Sequence, residues 1–93
     1  MRKYKLKLFV TGQTSRSQHA IRNLRRLCDE DLPDQVDLTV IDVLERPQLA
    51  EDARVIATPT LIKETPPPAR RIVGDLSDTT NLLVGLDIMK SGE

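Results

Sequence analysis

Tyr4, Leu6, Leu8 and Val10 alternate with Lys5, Lys7 and Thr11, and Phe9 is the one apolar exception. Period-2 alternation predicts a strand with one face committed to a core. Thr11-Gly12-Gln13-Thr14-Ser15 supplies turn chemistry and a hydroxyl helix cap. From Arg16 the period changes. Ala20, Ile21, Leu24, Leu27 and Cys28 form one apolar stripe, with Arg16, Arg22, Arg25 and Arg26 on the other sides, which predicts an amphipathic helix. Asp29 to Gln35, with Pro33, reads as a loop. Val36 to Val43 reads as a second strand, apolar on both faces near Val40-Ile41, as a buried parallel strand would be. Strand, helix and strand make a βαβ unit. A short helix is expected from Pro47 to Arg54, because proline suits a first helical turn. Thr58 to Ile62 reads as a strand entered through a Thr-Pro bond that is open to the cis isomer. Pro66-Pro67-Pro68 predicts an extended connection, Arg70 to Val73 a fourth strand, and Gly74-Asp75-Leu76-Ser77-Asp78 a turn into a helix cap.

The last segment satisfies two periods at once. Leu82, Leu83, Leu86 and Met89 make a helical stripe, whereas Leu82, Val84, Leu86 and Ile88 make an equally good strand face. Gly85 in a helix interior costs about 1 kcal/mol relative to alanine, which weakens the helix without excluding it. The plain reading is a helix with ordinary ambiguity. The sharper one is a segment whose two packings differ by only a few kcal/mol.

The 93 residues allow one α/β domain, 1–93, and their 39% apolar and 30% charged content fits a globular chain rather than a disordered tail. Fourteen Lys and Arg balance fourteen Asp and Glu, which removes the strong basic field of a nucleic-acid binder. With Tyr4 and Phe9 as the only aromatics, base-stacking platforms are nearly excluded. The basic start Met1-Arg2-Lys3 leads into no apolar run fit for a signal peptide or a membrane span, so a cytoplasmic protein without a membrane partner is expected. A domain this small gains stability by self-association.

Strand, helix, strand, helix, then a Thr-Pro entering an antiparallel hairpin and a final helix, is the order of a thioredoxin-like domain. The loop that carries Cys-x-x-Cys in thioredoxins reads Thr11 to Ser17 here and holds no sulfur, so dithiol chemistry is ruled out. Cys28, on the apolar stripe and followed by Asp29, Glu30 and Asp31, is expected to be a buried, unreactive thiol. His19 has no partner at catalytic or metal-ligand spacing and is expected at the surface. Asp42, Asp52, Asp75, Asp78 and Asp87 show no metal-ligand spacing, and no glycine-rich phosphate loop occurs. The expectation is therefore no enzyme, no cofactor and no metal. Lys63, Arg70 and Arg71 flank the proline run. They read either as solvated hairpin charges or as a partner-docking edge.

Several blocks also carry a resemblance that runs from about Tyr4 to Met89. They are Val40-Ile41-Asp42-Val43-Leu44, Pro47-Gln48-Leu49-Ala50-Glu51, Ala57-Thr58-Pro59-Thr60-Leu61, Pro66-Pro67-Pro68, Arg70, Ile72 to Asp78 and Gly85-Leu86-Asp87. In these the chain resembles the KaiB family, the small adaptors of the bacterial circadian clock. The resemblance implies a non-enzymatic partner of KaiC, a hexameric ATPase and autokinase. It implies two folds with a common N-terminal βαβ half. One is a self-associating ground state of order βαββααβ, a dimer or tetramer. The other is a rarer thioredoxin-like state of order βαβαββα that docks on KaiC. The switch between them is associated with Gly85 and Asp87. By position, the KaiC-facing surface would include Gln48, Asp52, Arg54, Val55 and Lys63, to which Arg70 and Arg71 are added as candidate partner-binding residues. Basic positions that look like KaiA contacts in cyanobacterial relatives carry His19 and Thr39 here, Glu45-Arg46 replaces the usual Lys-Asn, and Phe9 replaces a tyrosine. The chain also ends at Glu93 without the acidic tail of some relatives. These departures put KaiA in doubt as a partner, and a sensor kinase with it, and suggest a divergent system. The competing reading is a KaiB-like interaction module in histidine-kinase signalling or stress response.

Overall fold

The computed structural model describes residues 3–74 and 76–88. Its elements run β1 (Tyr4–Val10), α1 (Ser15–Asp31), β2 (Val36–Asp42), α2 (Pro47–Asp52), β3 (Thr60–Thr65), β4 (Arg70–Val73) and α3 (Thr79–Gly85). The order is βαβαββα, the second of the two arrangements expected for the C-terminal half. The strands form one sheet in the order β2-β1-β3-β4. β2 lies parallel to β1, while β3 is antiparallel to both β1 and β4.

Because β1 is internal, both of its faces are covered, and this is why Phe9 breaks the alternation. Tyr4, Leu6, Leu8 and Val10 join Ala20, Leu24 and Leu27 of α1 and Leu82, Leu83 and Leu86 of α3 in one buried cluster. Phe9 lies on the opposite face with Ile41, Ala50 of α2 and Ile62. The sheet is thus a middle layer between α1 and α3 on one side and α2 on the other. Thr14 caps α1, its hydroxyl accepting from the Ser17 amide at 3.3 Å.

Three expectations need correction. α1 continues past Asp29 to Asp31, because the Leu32 amide still bonds the Cys28 carbonyl at 3.2 Å and Leu32 is itself buried. β2 is parallel as expected but lies at an edge, so Leu38 and Val40 are only half-buried. The proline run is not extended: it bends within the connection between β3 and β4, where the Thr65-Pro66 and Pro67-Pro68 bonds are cis. The Thr58-Pro59 bond is cis as well.

The double-period segment is a helix. Asp78 caps it, a carboxylate oxygen accepting from the Asn81 amide at 3.1 Å. Val84 is 75% exposed while Leu83 is buried. A strand would have put Val84 on the buried face with Leu82 and Leu86, so the helical stripe wins. Met89, the last member of that stripe, and Asp75 of the preceding turn lie outside the described residues. At its end Asp87 takes φ +57° and the Ile88 amide returns to the Leu83 carbonyl at 2.9 Å. That is a Schellman-type stop with an aspartate where glycine is usual. No helix among the described residues is long and apolar enough to cross a membrane.

Candidate functional site

α2 is six residues long, begins at Pro47 and has no side-chain cap at Arg46. So short a helix turns only one position into the sheet, and that position is Ala50. Its leucine is therefore spare: Leu49 stands 44% exposed. On the outer surface the Gln48 amide donates to an Asp52 carboxylate oxygen at 2.8 Å, an i,i+4 pair that supports the helix weakly. The helix stops at Arg54, which adopts φ +56°, and the Val55 amide turns back to the Ala50 carbonyl at 2.9 Å. The turn leaves Val55 half-buried and drives Ile56 out to 98% exposure. Leu44, 69% exposed, stands at the mouth of the neighbouring loop. There Asp42 accepts from both the Gly12 amide (3.1 Å) and the Leu44 amide (2.9 Å). A groove of about 180 Å³ runs between these parts, lined by Thr11, Val43, Ala50, Val55, Ile56 and Thr58.

Arg71 closes the end of α2. It sits opposite Ile62 in the β3-β4 ladder, on the face of the sheet that α2 covers. From there its guanidinium donates to the Ala53 carbonyl at 2.7 Å and the Arg54 carbonyl at 3.2 Å. These carbonyls have no partner within the helix, and a cation at a helix C-terminus is favourably placed.

The structure thus places Gln48 and Asp52 on the outer surface of α2, and Arg54, Val55 and Arg71 at its C-terminal end. Arg70 is exposed but pairs with Lys63, one position out of phase with Arg71, and so belongs to the other face of the sheet. Lys63 departs from both readings of it, as solvated charge and as partner contact. It is 1% exposed, and its ammonium donates to the Asp87 carbonyl at 3.4 Å. The reason is strand phase: Lys63 shares a face with buried Leu61, beneath α3. It belongs with Gly85 and Asp87, the two candidate switch residues. Gly85 packs closely there, since a Cβ built on it would lie 2.9 Å from Cδ1 of Ile72.

Sequence reasoning missed Leu44, Leu49 and Ile56 as surface residues. A signal existed for Leu49, because a single-turn helix burying Ala50 leaves its neighbour outside; Ile56 carried none.

The loop that would hold a dithiol spends its polar groups on itself. The Thr14 hydroxyl donates to the Ser17 hydroxyl at 2.8 Å, which accepts from the Thr11 amide at 3.1 Å, while the Thr11 and Thr58 hydroxyls pair. Burial, with a smaller effect from Asp29, pushes the Cys28 thiol up to about 11. His19 is exposed. Among the described residues no group of His, Cys, Asp or Glu is placed to hold a metal ion.

Residues 7–88 match the KaiB domain family model. The chain is 52% identical over 92 residues to the circadian clock protein KaiB3 of a Synechocystis strain, covering 99% of this chain and 90% of that protein. It is 49% identical over 86 residues to the circadian clock oscillator protein KaiB of Microcystis aeruginosa, covering 92% and 83%. Among solved structures, the N-terminal domain of Synechococcus elongatus SasA superposes with a TM-score of 0.74 at 27% identity, over 100% of this chain and 90% of that domain. Mitochondrial thioredoxin 3 of Saccharomyces cerevisiae gives a TM-score of 0.74 at 23% identity over 94% and 79%, a likeness of fold alone. A thioredoxin-like frame without sulfur in its loop, and a sequence match along nearly its whole length, agree: the chain belongs to the KaiB family.

Proposed function

We propose that this protein is a non-enzymatic, cytoplasmic timing adaptor that docks on a KaiC-type hexameric ATPase through the end of α2 and modulates its phosphorylation cycle. The observation that carries the reading is the outward display of Leu44, Leu49 and Ile56 beside Gln48, Asp52 and Arg54. Bulky apolar side chains left exposed on and beside one short helix, among polar groups, suit a protein-binding surface. Membership of a family whose relatives are named as clock proteins supports a clock-protein partner.

Docking in this reading is gated by packing of the C-terminal half. The arrangement described here is the binding-competent one. The alternative arrangement self-associates as a dimer or tetramer, and Gly85 and Asp87 set the balance. A rare competent state lowers apparent affinity by its fractional population and slows binding. Native mass spectrometry of the protein with its cognate hexamer, across nucleotide and phosphorylation states, tests this. A complex that depends on either state is expected, and none under any condition would sink the proposal. Ile56→Glu should abolish the complex while leaving the fold intact by circular dichroism.

A second reading, an interaction module in histidine-kinase signalling, draws support from the likeness to the SasA domain. Co-purification from the native cell of a kinase rather than an ATPase hexamer would favour it.

A further inference from the structure

We infer that Arg71 is a positioning residue for the docking face: it acts through the carbonyls of Ala53 and Arg54 rather than by touching the partner. The inference rests on the proposal that the end of α2 is the docking face.

The turn from Ala53 to Ile56 packs Ala53 and Val55 against the Phe9, Ile41 and Ile62 cluster, but few polar contacts fix its backbone. α2 is a six-residue helix without a side-chain cap, too short to persist alone. Arg54 carries φ +56°, a left-handed conformation that costs an L-residue energy and persists only where its surroundings impose it. Two backbone bonds support the turn from within, Arg54 N–H to the Glu51 carbonyl at 3.0 Å and Val55 N–H to the Ala50 carbonyl at 2.9 Å. The polar support from outside is Arg71. Its planar fork takes two successive carbonyls, at 2.7 and 3.2 Å, and so fixes both their positions and the angle between them. Those two peptide units decide where Val55 and Ile56 point.

Strand register makes this clamp specific to the present arrangement. Arg71 reaches the α2 end because it stands opposite Ile62, whose own side chain lies beneath α2. A one-residue slip of β4 against β3 would turn Arg71 to the other face of the sheet and release the turn. The docking face is therefore complete only when the hairpin has this register, which ties the surface to the packing of the C-terminal half.

Arg71→Gln and Arg71→Lys, made in the full chain, test the inference with two readouts. One is hydrogen exchange at the Val55 amide by NMR. The other is affinity for the cognate KaiC-type hexamer, which a role confined to stabilising α2 would not move. Arg71→Gln should lower Val55 protection about tenfold and weaken binding by a similar factor, the worth of a charge-assisted bond. Protection of the β1 and β3 amides should stay at the wild-type level. Arg71→Lys keeps a cation near both carbonyls and should recover part of each loss. Weaker binding with unchanged Val55 protection would show a direct contact and overturn the inference. Lost protection with unchanged affinity would overturn it equally. If the wild-type protein fails to bind the hexamer, the functional reading falls, and the exchange arm alone still decides whether Arg71 holds the turn.

Discussion

Alanine at position 85 sets two effects of similar size against each other. Gly85 is the last residue of α3 and its backbone is helical. Glycine to alanine gains about 1 kcal/mol in a helix interior, and somewhat less in a last turn. Against this, the new Cβ would stand 2.9 Å from Cδ1 and 3.5 Å from Cγ1 of Ile72. The closer atom is the end of a flexible side chain, so Ile72 can yield by rotating. An off-rotamer displacement of that kind costs about 0.5–1.5 kcal/mol. The sum for Gly85→Ala alone is therefore near zero in the thioredoxin-like state. Ile72→Val removes the offending carbon. It costs up to about 1 kcal/mol on its own, since Ile72 is half-buried against the main core.

In the valine background Gly85→Ala should recover its helical gain in full. The four proteins of the cycle should thus show a favourable coupling of about 1 kcal/mol between positions 72 and 85. Urea unfolding followed by far-ultraviolet circular dichroism measures it, with equal m-values across the set as the condition for comparing midpoints. Additive effects within about 0.3 kcal/mol would refute the reasoning. So would a large stabilisation by Gly85→Ala in the native background, because Ile72 would then not oppose the new methyl.

Other sites yield sharper signs. Asp87→Gly should stabilise this arrangement by about 1 kcal/mol, because glycine tolerates φ +57° and the change removes an acid from the negative end of α3; a fall in urea midpoint would contradict this. Thr14→Ala should cost about 1 kcal/mol through loss of the α1 cap, read by the same titration, and Thr14→Ser should retain most of it. For Cys28, a thiol held at about 11 against 9.0 in the unfolded chain should react with iodoacetamide roughly a hundredfold more slowly than a free cysteine at pH 8. Labelling at the free-thiol rate in the folded protein would refute that. The sign for stability follows. The folded state holds the proton more tightly, so this contribution is complete below pH 9 and lost as pH rises toward 11, visible as a falling urea midpoint over that window in the native protein and not in Cys28→Ser.

Periodicity located α1 because it has one buried face and a polar remainder, the condition under which pattern encodes position. It failed where burial depends on neighbours remote in sequence. Val40 reads as fully buried because it is apolar beside Ile41, but only the sheet order reveals that β2 has no strand on its far side. Lys63 reads as exposed because lysine is rarely buried. Its position two residues after Leu61 is the better guide, as strand phase puts both on the α3 face. The proposed docking face was half legible. Gln48, Asp52, Arg54 and Val55 came from family resemblance and Arg71 from its place beside the prolines, whereas Ile56 follows from a left-handed turn at an arginine, for which composition provides no cue.

Lys63 and Arg71 also share an arrangement that neither residue's chemistry would suggest alone. Both α2 and α3 end on a non-glycine residue in the left-handed region, Arg54 and Asp87. In both, a cation from the β3-β4 hairpin donates to carbonyls at or beside that residue: Arg71 to Ala53 and Arg54, Lys63 to Asp87. The two cations project from opposite faces of the same hairpin, one position out of phase. Repacking the hairpin would therefore release both helix ends together, whereas either helix end alone could fray without disturbing the other. Such coupling places the proposed docking face and the double-period segment under one structural element, although 30 residues separate Val55 from Gly85 in sequence. The ambiguity of Leu82 to Ile88 matters for the same reason. In the proposed switch, a segment that satisfies both periods would lose little apolar burial in either packing, so the balance would pass to polar contacts of about 1 kcal/mol each, and these two clamps are contacts of that size.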